Sequence, residues 1–120
     1  MKRKATYFLS VIIIGAFMVF AYGSGEEDSV DLNAEISFTG TQFLITNNDK
    51  FDYENCRIEV NSKYQLKGVN IDAGDIYTVG MMQFADKDGN RFTVYQKPQK
   101  LTISCKVEDD KYGFVSAEWH

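Results

Sequence analysis

Two cysteines carry the most specific chemistry in this 120-residue sequence. Each lies on the apolar side of an alternating segment, Cys56 with Ile58 and Cys105 with Ile103, so both thiols are predicted to point inward. A disulfide between them would close a loop of about 50 residues and add about 2 to 4 kcal/mol of stability. Parity alone leaves a second arrangement open, in which two separate thiols pack as small hydrophobic side chains. The sequence has no Cys-x-x-Cys spacing, so a redox role is not expected.

Oxygen ligands at short spacing occur in the acidic segment from Asp86 through Asp88 to Asn90. A calcium-binding loop requires glycine at its sixth position and glutamate at its twelfth, whereas counting from Asp86 places Gly89 fourth and Lys97 twelfth. The Asp-Gly pair therefore predicts a hairpin turn.

The single histidine, His120, is the last residue of the sequence. A chain end does not hold a general base in position, and one histidine with two inward cysteines does not make a zinc site. We therefore predict that the chain is not an enzyme, and that it has no metal site and no cofactor.

An aromatic and cationic cluster is the other candidate for chemistry. By strand parity Phe51, Tyr53 and Arg57 fall on the polar side of their segment, which predicts an exposed face. Such a face could stack a sugar ring or anchor a peptide, and a carbohydrate- or peptide-binding domain follows as one hypothesis. Packing beneath a neighbouring loop is the alternative.

Short alternating segments must position all of these residues. They are separated by turn residues at intervals of about ten, and no segment downstream of residue 30 shows a 3.6-residue period. We predict an all-β fold for residues 31–120: an antiparallel sandwich of seven or eight strands. Ile76 to Phe84 is apolar on both faces, which indicates a central strand, and the Asp86 turn should join it to a strand at Arg91 to Gln96.

The N-terminal residues have the pattern typical of a targeting segment. Three cations within Met1–Lys4 precede sixteen uncharged residues, Tyr7 to Tyr22, which predicts an apolar helix within residues 1–23. Small residues at Ala21 and Gly23 favour cleavage before Ser24, and residues 24–30 form a flexible acidic leader. A cleaved signal peptide and a retained membrane anchor both remain open. Either one predicts an exported protein, periplasmic, cell-surface or extracellular, that contacts a membrane only through this segment.

The net charge of the chain limits the kinds of partner that it is expected to bind. The sequence carries a net charge of −4, and loss of residues 1–23 with their three cations would leave ten Lys and Arg against seventeen Asp and Glu. An acidic domain repels phosphate backbones, which disfavours nucleic acid. The expected partner is an envelope protein or a glycan.

Two stretches carry a resemblance to known families. Ile71, Gly74 and Tyr77 resemble the tyrosine corner of fibronectin type III and related immunoglobulin-like domains, in which the tyrosine hydroxyl bonds upstream backbone at a crossover between sheets. Residues 38–48 and 88–92 resemble small bacterial extracytoplasmic domains of the FxLYD kind, although residues 82–86 stand where that family has its FxLYD segment. The resemblance implies an immunoglobulin-like sandwich in the cell envelope that acts as a non-catalytic binding or structural module.

Overall fold

The computed structural model describes residues 17–20 and 29–119. Apart from two 3-10 turns, Met81–Gln83 and Glu108–Asp110, the regular structure in these residues is strand. The strands are β1 (Phe17–Phe20), β2 (Ser29–Asp31), β3 (Ala34–Phe38), β4 (Gln42–Asn47), β5 (Tyr53–Val60), β6 (Tyr64–Ile71), β7 (Ile76–Gly80), β8 (Lys100–Lys106) and β9 (Tyr112–Trp119).

The strands form two sheets. The larger sheet has the order β1-β9-β8-β5-β6, with β2 also pairing with β9, and the smaller sheet has the order β3-β4-β7. All pairs are antiparallel except β2 with β9, which is parallel. The turn between β5 and β6 places Asn61 and Ser62 at φ of 54° and 58°, the left-handed pair of a primed hairpin turn.

One core lies between the sheets. Alternate side chains are buried, such as Ile36 and Ile45 in the smaller sheet and Ile58 and Ile103 in the larger one, and each of these four is fully enclosed. This period-two burial confirms the predicted all-β architecture, with eight strands between residues 29 and 119.

The predicted N-terminal helix falls largely outside the described residues. Residues 1–16 and 21–23 are not among them, and neither are leader residues 24–28 or His120. The described part, Phe17–Phe20, is a strand and not helix, because its backbone pairs antiparallel with Ser116–Trp119 on β9. No helix long and apolar enough to cross a membrane occurs within residues 17–20 and 29–119.

The connection from β7 to β8 differs from the prediction. The strand predicted over Ile76 to Phe84 ends at Gly80, and the chain turns through Met81–Gln83 instead. The predicted central position is also wrong, because β7 pairs, among the described strands, only with β4 and lies at the edge of the smaller sheet. In place of a strand over Arg91 to Gln96, the chain makes single β-bridges at Ala85 and Arg91. We call residues 84–92 the arm. It is fastened to the body by the buried rings of Phe84 and Phe92, whose backbones are hydrogen-bonded at 3.0 Å.

Candidate binding groove

The predicted disulfide is present. Cys56 on β5 is bonded to Cys105 on β8, and the two side chains are 0% and 1% exposed. β5 and β8 are neighbours in the larger sheet, so the bond joins two strands of one sheet and does not cross between the sheets. Burial keeps the bond out of reach of external thiols.

The predicted exposed aromatic face does not form, because Tyr53 is completely buried. The cause is a β-bulge: the register of β5 shifts between Tyr53 and Cys56, and Asn55 takes a φ of 49°. One extra residue in the strand reverses the parity, so Tyr53 points inward although Arg57 remains exposed. Phe51 is half-buried, with its ring centroid 6.1 Å from that of Tyr53.

Tyr53 belongs to a polar cluster at one end of the core. Its hydroxyl donates to Asp49 Oδ2 at 2.6 Å, and the backbone N–H of Asn33 donates to the same oxygen at 2.8 Å. Burial, followed by the bond to Asp49, raises the pKa of Tyr53 far above its ordinary value of 10.0. This group stays protonated and acts as a structural donor.

Asn47, which is fully buried, holds the crossover between β6 and β7. Its side-chain amide donates to the carbonyls of Phe51 at 2.9 Å and Ile71 at 3.0 Å. Its backbone accepts from Gly74 N–H and donates to the carbonyl of Asp75, both at 2.9 Å. These bonds satisfy backbone groups where the chain passes from one sheet to the other.

The residues predicted to form a tyrosine corner lie at this same crossover, but the side-chain hydrogen bonds there are made by Asn47. Ile71 is buried and Gly74 supplies the turn with a φ of 84°. Tyr77 lies within β7 opposite Ile45, and its hydroxyl makes no hydrogen bond to any residue of the described chain. Its pKa is raised by partial burial.

The segment from Asp86 to Asn90 is a hairpin turn, as predicted. Asp86 Oδ1 accepts from the backbone N–H groups of Asp88 at 2.9 Å and Asn90 at 2.8 Å. Gly89, at a φ of 85°, donates to the Asp86 carbonyl. The hydrogen bond from the backbone N–H of Asn90 is the main reason that the pKa of Asp86 lies below its ordinary value, and the charge of nearby Lys63 lowers the pKa further. Within the described residues, no group of three or more His, Cys, Asp or Glu could hold a metal ion.

A groove of about 630 Å³ lies between β6 and the arm. Its lining residues are Ser62, Lys63, Gln65, Lys67, Ala85, Asp86, Lys87 and Asp88. The two walls are fixed to each other, because Gln65 and Ala85 exchange backbone hydrogen bonds of 2.9 and 3.2 Å. The groove is therefore a preformed concavity and not a gap between independent loops.

Three lysines give this groove its chemistry. Lys63 and Lys67 lie on the β6 side and Lys87 at the tip of the arm. Of the two carboxylates in the lining, Asp86 is occupied by the hydrogen bonds of its own turn. The side-chain amide of Gln65 donates a hydrogen bond to Glu59 Oε2 at 2.9 Å, which fixes its orientation. Three lysines against two aspartates, Asp86 and Asp88, leave the lining with a formal charge of +1. The groove thus offers an excess of ammonium donors beside a fixed backbone, an arrangement suited to an anion.

Little in the sequence indicated this groove. Its lysines are spread from position 63 to position 87, and each alone is an ordinary surface cation. The available signal was the length of the connection between the apolar segments at 76–84 and 101–107, since long connections often carry function.

No protein-family model matches this chain, and no curated protein matches it significantly.

Proposed function

We propose that this chain is an exported, non-catalytic β-sandwich module of the cell envelope that binds an acidic segment of a partner protein in the groove between β6 and the arm. The observation that carries the proposal is the set of three lysines, Lys63, Lys67 and Lys87, around one preformed concavity. Carboxylates at alternate positions of an extended peptide lie on one side of it, where they could meet these ammonium groups. The lining residues include no aromatic ring on which a sugar could stack, which favours a peptide over a glycan.

The overall charge of the chain does not oppose this ligand. The net charge is −4, yet at physiological ionic strength exposed charges are screened beyond about 8 Å. An acidic peptide seated in the groove would therefore respond mainly to the charges of the lining, in which three lysines outnumber two aspartates. Binding should weaken as salt is added, as expected for exposed ion pairs.

We also propose that the fold is an immunoglobulin-like sandwich. Strand order supports it: β3, β4 and β7 take the places of strands A, B and E, and β5, β8 and β9 those of C, F and G. The disulfide differs, because immunoglobulin domains of antibodies link strands B and F across the two sheets. Here it joins the strands in the C and F positions within one sheet.

Titration with a hexaglutamate peptide, followed by calorimetry, tests the groove. Replacing Lys63, Lys67 and Lys87 together by glutamine should weaken binding about tenfold, since each exposed pair contributes about 0.2 to 1 kcal/mol and about 1.4 kcal/mol corresponds to tenfold.

The matched control replaces Lys50, Lys106 and Lys111 by glutamine. Lys106 and Lys111 lie at the opposite end of the larger sheet, and Lys50 lies in the turn before β5, so the net charge changes equally while the groove stays intact. Equal loss of affinity in both triple variants, or no binding by the unmodified protein, contradicts the proposal.

Export is tested separately by fractionating cells that produce the full chain and sequencing the N-terminus of the recovered protein. We expect the protein outside the cytosol, with its N-terminus at Ser24 if residues 1–23 are cleaved or at Met1 if they are retained. The persistence of disulfides in oxidising compartments supports this expectation. Recovery of reduced protein from the cytosol would count against it.

A further inference from the structure

The outer edge of β7 has unpaired backbone groups. Hydrogen bonds from Asn47 N–H to the Asp75 carbonyl and from Met81 N–H to the Thr41 carbonyl, both 2.9 Å, fix which residues face β4. In an antiparallel pair, every second residue directs its N–H and C=O groups toward the partner strand. Tyr77 and Val79 therefore also form hydrogen bonds with β4. The N–H and C=O groups of Ile76, Thr78 and Gly80 then point away from the sheet. No other segment of the described chain pairs with this edge.

The other sheet edges carry features that discourage pairing with another strand. On β9, β2 covers the first half of the edge, Tyr112–Phe114, and β1 covers Ser116–Trp119 in the chain that keeps its N-terminal segment. The β6 edge is bridged to Ala85 and interrupted by Lys67 and by Gly68 at a φ of 74°. The β3 strand carries an exposed charge at Glu35. Charges, bulges and coverage are the usual protection of an edge strand.

The β7 edge has none of these features. Its five residues, Ile76–Gly80, include no charge and no proline, and its register with β4 is unbroken. Ile76 at its start is 60% exposed. An uncharged edge without bulges is a template for another strand.

We propose that two copies of this chain associate through β7, antiparallel, about a two-fold axis at Thr78. This register places the outward groups of Ile76 opposite those of Gly80 in the second copy, and Thr78 opposite Thr78, so every unpaired group on the edge finds a partner. Two three-stranded sheets become one continuous sheet of six strands.

The side chains favour a second copy as the occupant. On the two-fold axis Thr78 meets Thr78, and on the other face Tyr77 meets Val79 of the second copy twice. Hydroxyl pairs and pairs of an aromatic with a β-branched residue are among the stabilising cross-strand neighbours. Because the strand carries no charge, self-pairing sets no like charges opposite each other. Asp75, just before the strand, falls opposite Met81 of the second copy.

Sedimentation velocity over a concentration series tests this dimer. The unmodified protein should show a concentration-dependent dimer, and Thr78→Lys and Thr78→Glu should each abolish it, because like charges then face each other on the axis. An equimolar mixture of these two variants should regain the dimer, since lysine then faces glutamate. Gln42→Lys, exposed on β4 beside Gly80, is the control and should leave the dimer intact.

Three results would overturn the proposal: a monomer at every concentration, a dimer that survives Thr78→Lys, or a mixture of the two variants that stays monomeric. Circular dichroism of each variant confirms that the fold is kept, as expected for a substitution at an exposed position. The assay does not involve the groove lysines, so its outcome is independent of the proposed peptide binding.

Discussion

At the scale of single residues, the polar cluster around Tyr53 explains how one end of the core tolerates buried hydrogen-bonding groups. Tyr53 donates to Asp49, and Asn47 donates to two main-chain carbonyls, so each buried group has a partner. These side chains were not predicted as core residues, because asparagine and aspartate between two strands usually indicate a solvated turn. Inward positions for Cys56 and Cys105 were predicted correctly, since alternation holds on both sides of each cysteine.

The raised pKa of Tyr53 makes alkaline stability a test of this cluster. Above pH 10 the unfolded chain loses the phenolic proton while the folded chain keeps it, so the folded state binds more protons and its stability falls as pH rises. Below pH 10 the group contributes no pH dependence. Tyr53→Phe should therefore reduce the slope of unfolding free energy against pH above 10 by up to about 1.4 kcal/mol per pH unit.

Urea unfolding of both proteins at several pH values measures these slopes. Tyr95→Phe is the matched control, because that ring is 93% exposed and its removal should leave the slope unchanged. Parallel slopes in the unmodified protein and Tyr53→Phe would show that the Tyr53 hydroxyl titrates normally.

At the scale of the strand, most boundaries follow from alternation, and the errors have local causes. The bulge at Asn55 inverted the predicted exposure of Tyr53, and asparagine at a left-handed φ within a strand has no sequence pattern distinct from asparagine on a polar face. The strand predicted over Ile76 to Phe84 was too long, because a run that is apolar on both faces does not show where extended structure gives way to a 3-10 turn.

The contact between β9 and the segment entering β3 depends on a glycine. A Cβ atom built on Gly113 would lie 2.8 Å from Leu32 Cγ and 3.2 Å from Val107 Cγ1, both too close for ordinary packing. Gly113→Ala should therefore lower the free energy of unfolding by about 1 to 3 kcal/mol, the usual range for overpacking. The same substitution made in a Leu32→Ala background should have a much smaller effect, because the obstructing side chain is absent.

A double-mutant cycle in urea measures this coupling. Gly80→Ala provides a comparison, since a Cβ atom there meets nothing within 4 Å. Equal losses from Gly113→Ala in the two backgrounds would mean that Leu32 is not the obstacle.

At the scale of the whole molecule, the all-β class followed from the sequence, but the groove did not. Alternation determines which face of each strand is buried, so it predicts two apolar layers. The groove depends on how a connection of nineteen residues, 81–99, folds back against β6, and no local pattern specifies that tertiary contact. Alternation likewise does not show which strands are neighbours. The disulfide lies within one sheet because β5 and β8 are adjacent in the larger sheet.

Because both sulfur atoms are enclosed, reduction of the disulfide should require the molecule to open. We expect the native protein to show no free thiol and to react with dithiothreitol at a rate that rises with urea in step with global unfolding. Replacing both cysteines by alanine should lower the free energy of unfolding by about 2 to 4 kcal/mol. Rapid reduction in the absence of urea would indicate a local opening near β5 and β8.

The parallel pairing of β2 with β9 has a mechanical consequence. Ser29 lies beside Tyr112 and Asp31 beside Phe114, so β2 and β9 start side by side and run in the same direction. A pull that separated Ser29 from Trp119 would slide these two strands lengthwise past each other. Their hydrogen bonds, together with that from Leu32 N–H to the Phe114 carbonyl, would then be loaded at once and not opened one by one.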